Sequence, residues 1–210
     1  MSKKISIIGA GFTGTTTAFM LAMRGLGHVV LLDIPSNENS VRGKALDIME
    51  ASPLIHSSVR VTGTADYKET ADSDIVIVTA GIARKPGMSR DELSHINTGI
   101  VTEVVRKVIR YSPNCILIIL SNPVDLMTYI ALETSGFARN RVIGQSGVLD
   151  TARFRFFVAD ELNMSTEDIT GLVLGVHGDE MVPILRYCTV QGIPIRQLLT
   201  EDKIQKIIDR

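Results

Sequence analysis

A glycine turn set between two apolar runs constrains this chain more than any other stretch. Ile5 to Ile8 leads into Gly9, Ala10, Gly11, Phe12, Thr13 and Gly14. A helical segment from Thr15 to Arg24 follows, and a second apolar run, His28 to Leu32, is closed by Asp33. The order is strand, turn, helix, strand. In such a unit Gly9 permits the tight turn, Gly11 lets the backbone approach a pyrophosphate, and Gly14 lets the helix pack close to the strand. The six residues Gly9 to Gly14 are therefore candidate cofactor contacts, with phosphate expected at the helix N-terminus, where unpaired N–H groups and the helix dipole favour negative charge. Asp33 stands 19 residues after Gly14, at the tip of the second strand. A carboxylate there accepts hydrogen bonds from both hydroxyls of an adenosine ribose and repels a 2′-phosphate. Ile34 and Pro35 bring no compensating cation, so NAD is expected in preference to NADP. The glycine pattern alone also suits a flexible turn; the strand before it, the helix after it and the spaced acid carry the dinucleotide reading.

The chain of 210 residues is long enough to bury a sizeable core, and its 45% hydrophobic content fits an α/β protein. A formal charge of −1, with no basic stripe, argues against nucleic acid or an anionic membrane as the main partner. Cys115 and Cys188 lie far apart with no CxxC or Cys/His spacing, which suggests two buried thiols in a reducing cytosol rather than a disulfide framework or a zinc site. The apolar run after Lys3 and Lys4 breaks at Gly9, too soon for a signal-peptide core, and no run approaches the roughly 18 residues that span a bilayer. A soluble, cytoplasmic protein is expected.

Further along, Pro35 to Asn39 reads as a loop and Val41 to Ala51 as a helix stopped by Pro53. Val59 to Thr64 reads as a strand, and Asp74 to Ala80 as a continuous apolar strand. Continuous apolarity means burial on both faces, as in a parallel sheet covered by helices. Gly81 to Arg90 is a loop with three cations. Asp91 to Tyr111 carries Leu93, Ile96, Ile100, Val104 and Val108 at helical steps and stops before Pro113. A buried strand from Cys115 to Leu120, a helix ending at Gly136 and a brief strand from Arg141 to Ile143 complete six strands with intervening helices. The pattern predicts an open, doubly wound parallel sheet of the α/β class, with its ligand crevice at the carboxyl ends of the strands. After Gly147 the pattern changes. Leu149 to Leu162 is helical with an apolar face of Phe156, Phe157 and Leu162, and the segments 169–174, 182–187 and 193–195 read as strands of a separate antiparallel sheet. A domain boundary is placed near residue 148. The segment Glu201 to Arg210 has Ile204, Ile207 and Ile208 at helical spacing with no stop signal, so the chain is expected to end inside an element, as a truncated domain would.

Three further motifs carry chemistry: the loop Ala83 to Arg90, with Arg84 and Arg90; the helix start Leu149 to Arg153, with Asp150 and Arg153; and Gly175 to Glu180, with His177. On spacing alone each has a plain alternative. His177 could be a turn residue, Asp150 and Arg153 a solvated ion pair, Arg84 and Arg90 exposed cations, and Asn122 the start of a turn before Pro123. Taken together, and with Asn122 at a strand end, these motifs resemble the lactate and malate dehydrogenase family over the whole chain. Within it the likeness is to the lactate-dehydrogenase-like malate dehydrogenases of bacteria, whose loop carries arginine where lactate dehydrogenases carry glutamine.

The resemblance implies a Rossmann domain over residues 1–148 and the N-terminal part of an α+β substrate domain over 149–210. It also implies reversible NAD-dependent oxidation of (S)-malate to oxaloacetate. Removing a hydroxyl proton as hydride leaves the adjacent carbon needs a base, and the reverse reaction needs an acid; histidine does both. His177 takes that role by resemblance, with Asp150 fixing its tautomer. Arg153 would grip the C1 carboxylate bidentately, and Arg90 would polarise the reacting oxygen. Arg84 would pair with a second carboxylate, which oxaloacetate has and pyruvate lacks. Asn122 is expected on the substrate oxygen, with Leu120, Ser121 and Asn122 near the nicotinamide and Asn97 as a further cofactor contact. No metal is expected, since no HExxH or carboxylate cluster occurs. The family also implies a homodimer or homotetramer. A lactate or other 2-hydroxy-acid dehydrogenase, and a catalytically silent NAD-binding module, remain as alternatives.

Overall fold

The computed structural model describes residues 2–209, and the chain divides into two compact units, Met1–Gly144 and Gln145–Arg210. The division falls just ahead of the boundary read near 148, because the helix that follows starts at Gly147 rather than Leu149.

In the first unit the strands are β1 (Lys4–Ile8), β2 (His28–Leu32), β3 (Val61–Thr64), β4 (Ile75–Val78), β5 (Ile116–Ile119) and β6 (Val142–Gly144). They form one parallel sheet in the order β3-β2-β1-β4-β5-β6. The helices are α1 (Phe12–Met23), α2 (Glu38–Ala51), α3 (Arg90–Tyr111) and α4 (Val124–Ser135). Strand geometry sends alternate side chains to opposite faces, and here both faces are cores. Ile7 is in register with Leu31 and Ile77, and Ile77 with Ile118, and this row packs with Ala18 and Ala22 of α1 and Val41 and Ala45 of α2. The next row, Ile8, Leu32, Val78 and Ile119, faces Val101, Val105 and Val108 of α3 and Met127 of α4. Each fully buried aliphatic side chain contributes roughly 1.5–3 kcal/mol, so the two rows hold the sheet from either side.

Strand ends and the start of α3 shift by one or two residues from the sequence reading, and two helices begin three residues earlier. The segment read as a loop to Asn39 is a 3-10 turn at Pro35–Asn37, and α2 begins at Glu38, whose acid suits a first turn. The first helix starts at Phe12, immediately after the glycine pair, with Gly11 as its cap.

In the second unit α5 (Gly147–Leu162) packs Phe154, Val158 and Ala159 into a core with Ile169, Val173, Cys188, Val190, Ile195 and Leu199. Phe156, placed on the apolar face by the sequence reading, is 55% exposed. It lies about 100° around the helix from Phe157, which does pack on that core. The run 169–174 is two short strands in two sheets, β7 (Ile169–Thr170) and β8 (Val173–Leu174), separated at Gly171, which lies close against Phe154 and Arg155. Of 182–187 only β9 (Val182–Pro183) is strand, paired antiparallel with β8, and a 3-10 turn follows at Leu185–Tyr187. A strand the sequence did not announce, β10 (Thr189–Val190), pairs antiparallel with β7 and with β11 (Ile193–Pro194). The last helix is α6 (Glu201–Ile208), with Ile204 and Ile207 buried; Arg210 lies outside the described residues.

The packing of α2 on β3 depends on Gly63, where an added Cβ would overlap the carbonyl oxygen of Val41. Gly63→Ala is expected to lower stability by about 1–3 kcal/mol. Gly43→Ala, on the same helix with nothing within 4 Å of the new carbon, is expected to raise it by about 0.5–1 kcal/mol. Urea unfolding midpoints of the two variants check the opposite signs.

Candidate functional site

The carboxyl ends of β1, β2, β4 and β5 share one edge of the sheet, and the order reverses between β1 and β4, the position where open α/β sheets take ligands. The glycine turn leaves β1 there. Gly9 has φ +107°, and a Cβ on it would come within 2.8 Å of Thr79 Oγ1. Gly11 is exposed, and a Cβ built on it would meet nothing within 4 Å, so that side of the main chain is open to a ligand. Helix α1 begins at Phe12 with no acidic side chain in its first turn, leaving the positive end of its dipole uncompensated. Phe12 and Thr13 are exposed, while Gly14 is buried against the carbonyl of Gly9. Asp33, just beyond β2, accepts a hydrogen bond from the Ala10 N–H at 2.8 Å and from its neighbour Ile34 at 2.7 Å. An open turn, a helix N-terminus free of acid and a carboxylate one strand away fit a nicotinamide dinucleotide. Beside them the Tyr67 phenol is pushed up to about 12, first by burial and then by the Glu103 and Asp33 carboxylates, so it is a neutral donor.

The ends of β4 and β5 are laced together. Asn97 on α3 is only 1% exposed. Its Oδ1 accepts from Ile82 N at 2.9 Å, and its Nδ2 donates to Asn122 O at 2.7 Å and Ile82 O at 3.3 Å. The Ser121 hydroxyl donates to Ala80 O at 2.5 Å, and Leu120 N pairs with Val78 O at 2.9 Å. In this form of the protein the side chain of Asn97, read as a cofactor contact, is committed to the main chain of the two loops. The side chain of Asn122 is left exposed at the end of β5. Arg84 lies on the exposed loop after β4, its Nε donating to Met88 O at 3.0 Å. Arg90 is the first residue of α3, whose N-terminus is capped by Ser89 accepting from Glu92 N at 3.0 Å.

In the second unit Asp150 sits in the first turn of α5 and is 4% exposed. A carboxylate buried that deeply requires partners. His177 Nδ1 lies 2.9 Å from its Oδ2, and Arg153 Nη1 lies 3.5 Å from its Oδ1. Since a carboxylate accepts and cannot donate, Nδ1 carries the ring proton, and in the neutral imidazole Nε2 carries the lone pair. His177 reaches Asp150 because its loop joins β8 to β9, and β8 is tied to α5 by Val173 N donating to Thr151 Oγ1 at 3.0 Å. The Arg153 side chain is 57% exposed and its bond is long, so this pair is loose and adds little stability. Asp150 and Arg153 line a cleft of about 260 Å³ with Phe154, Phe157, Met181 and Ile208.

Two residues at the turn carried no signal in the sequence. Thr79 lies inside an apolar strand run, and its hydroxyl donates to Gly9 O at 2.9 Å. Lys44 lies on an amphipathic helix, and its ammonium donates to Ala10 O at 2.5 Å. Lys44 is 34 residues from Ala10 and Thr79 is 70 from Gly9 along the chain, and only the sheet order brings them to the turn. Among the described residues no group of three or more His, Cys, Asp or Glu is placed to hold a metal ion, and no helix is long and apolar enough to cross a membrane. Cys115 and Cys188 are buried free thiols; burial pushes Cys115 up to about 11 and Cys188 upward, so neither is a ready nucleophile. Replacing Asn97 by Leu removes three hydrogen bonds from the laced edge and is expected to cost about 1–3 kcal/mol. Amide exchange of Ile82 should speed up in that variant while exchange in β1 is unchanged.

Residues 3–144 match the lactate/malate dehydrogenase NAD binding domain, and residues 147–210 match the lactate/malate dehydrogenase alpha/beta C-terminal domain. The malate dehydrogenase of Geobacillus kaustophilus is 61% identical over 208 residues, which is 99% of this chain and 67% of that protein. The structure of malate dehydrogenase from Picrophilus torridus in its apo form matches with a TM-score of 0.96 at 44% identity, over 100% of this chain and 66% of that one. The lactate dehydrogenase of Cryptosporidium parvum, complexed with lactic acid and NAD, matches with a TM-score of 0.92 at 37% identity, over 99% of this chain and 67% of that one. The chain spans about two thirds of the length of these relatives. With one family matched end to end along the sequence, a close relative within it, and a dinucleotide turn built as that family requires, the chain belongs to the lactate/malate dehydrogenase family of NAD-dependent oxidoreductases.

Proposed function

We propose that this chain interconverts (S)-malate and oxaloacetate, with His177 as the acid and base. The Asp150–His177 hydrogen bond of 2.9 Å carries the reading. It gives the imidazole one proton-bearing nitrogen turned to a buried carboxylate and one basic nitrogen for substrate. In the oxidation, Nε2 takes the proton of the C2 hydroxyl as the C2 hydride departs, and the carbonyl forms. Asp150 stabilises the imidazolium that results, and in the reverse direction the same proton returns to the oxygen. NAD, held at Gly9 to Gly14 and Asp33, supplies the hydride acceptor. Arg153, whose hold on Asp150 is loose, grips the C1 carboxylate. Arg90 and the Asn122 amide steady the charge on the C2 oxygen. In this reading residues 1–148 form the cofactor domain, and 149–210 begin the substrate domain.

The lactate dehydrogenase match shows that backbone shape does not choose between the two acids. Arg84 does. Its guanidinium spends one donor on Met88 O and offers the others to a second carboxylate. Burying that cation against the methyl of pyruvate would leave it unpaired. The relative at 61% identity is a malate dehydrogenase, which supports the same choice. We assign the working form to a cytoplasmic homodimer or homotetramer. Free thiols support a reducing compartment. The exposed Phe19, Met20, Met23 and Leu26, on and just beyond α1, support self-association, which light scattering measures.

Oxaloacetate is expected to be reduced by NADH with a kcat/KM well above that for pyruvate. Arg84→Gln should cut the oxaloacetate value by about 30-fold or more and narrow the gap to pyruvate. His177→Asn should lower kcat by about 10²–10⁴-fold while NADH still binds. Equal rates of the parent on both keto acids would defeat the choice of substrate, and an active His177→Asn would defeat the mechanism.

A further inference from the structure

We propose that Lys44 is a positioning residue for the cofactor: its ammonium, pulling on the Ala10 carbonyl, turns the Gly11 N–H outward as a phosphate donor. The proposal rests on the reading of Gly9 to Gly14 as the NAD turn. Two peptide units, running from Gly9 to Gly11, form the head of that turn. In the first, Gly9–Ala10, both polar groups are committed: the carbonyl accepts from Thr79 Oγ1 at 2.9 Å and the N–H donates to Asp33 Oδ2 at 2.8 Å. In the second, Ala10–Gly11, the carbonyl accepts from Lys44 Nζ at 2.5 Å and Thr15 Oγ1 at 3.1 Å. A trans peptide is planar with its C=O and N–H opposed. Holding the Ala10 oxygen against Lys44 therefore aims the Gly11 N–H the other way, away from Lys44, at an exposed residue on which an added Cβ would meet nothing within 4 Å.

The position of Lys44 is itself fixed. Val41, Ala45 and Ile48 bury one face of α2, and the close approach of Val41 to Gly63 sets the height of the helix over β3. Lys44 is half-buried on the flank of that face, so its stem is held while its head reaches the turn. The bond is charge-assisted, stronger than the neutral one from Thr15 to the same oxygen. Without it the second peptide is held by Thr15 alone and can rotate, and the Gly11 donor is lost from the phosphate site for part of the time. The first peptide, pinned at both ends by Thr79 and Asp33, stays where it is. Lys44 thus acts through the diphosphate half of the cofactor and not through the adenosine.

The test compares the parent protein with Lys44→Met and Lys44→Arg, using NADH fluorescence titration and competition by ADP-ribose and by adenosine. Lys44→Met should weaken NADH and ADP-ribose by about tenfold and leave adenosine and the kcat at saturating NADH within about twofold. Lys44→Arg, which keeps the charged donor, should recover most of the loss. In the cofactor-free protein the Gly11 amide resonance should move in the Met variant and hold in the Arg variant. NADH affinity in Lys44→Met within about twofold of the parent overturns the proposal, and so does an equal loss for adenosine, which would place the effect elsewhere or mark general loss of structure. A parent protein that binds no NADH overturns the cofactor reading beneath it and is told apart by that first titration.

Discussion

A parallel sheet buried on both faces forces all its strands to end at the same edge, and that constraint organises the first unit. Apolar side chains fill the two faces, so the strands cannot present polar groups there. The polar groups that remain available are those of the main chain where the strands stop and the helices start. The glycine turn, Asp33, Thr79, Asn97, Ser121 and Asn122 all belong to segments that leave or flank this edge. The dinucleotide chemistry follows from where the hydrophobic cores are not.

The two ends of the sheet treat their polar groups differently. Beside the amino end of β4 the Ser6 and Ser73 hydroxyls meet at 2.7 Å, Ser73 donates to Thr70 O at 2.7 Å, and Ser112 donates to Thr70 O at 2.6 Å and accepts from Ser73 N. These side chains are buried and satisfy one another. At the carboxyl end the side chains of Thr79, Asn97 and Ser121 bond to main chain. An edge held in this way needs little rearrangement when a ligand arrives, which keeps the ordering cost of binding low.

The elements of the first unit are legible in the sequence because a doubly buried strand and an amphipathic helix leave strong local patterns. The glycine spacing and the acid after the second strand also fall within one supersecondary unit of the chain. In the second unit the division at Gly171 is hidden because strands of two residues leave too few positions for a period to show, and of the adjacent Phe156 and Phe157 on α5 only Phe157 packs on the core. The roles of Lys44 and Thr79 and the main-chain partners of Asn97 are not legible at all. Lys44 looks like any solvated helix cation, and its bond to Ala10 exists because β2 and β3 place α2 beside a turn 34 residues earlier.

Asp150 and His177 apply the same economy to a side chain: a buried carboxylate fixes one nitrogen of a ring and thereby sets which nitrogen keeps the lone pair. The claim underlying the whole account is that this protein takes its cofactor at the carboxyl edge of the parallel sheet, on the main chain of the glycine turn. A two-dimensional amide NMR titration with NADH measures that most directly. The account predicts the largest shift changes at Gly9, Ala10, Gly11, Thr13, Gly14 and Asp33. Shifts confined to Ser6, Ser73 and Ser112 beside the amino end of β4, with the turn amides unmoved, would contradict it.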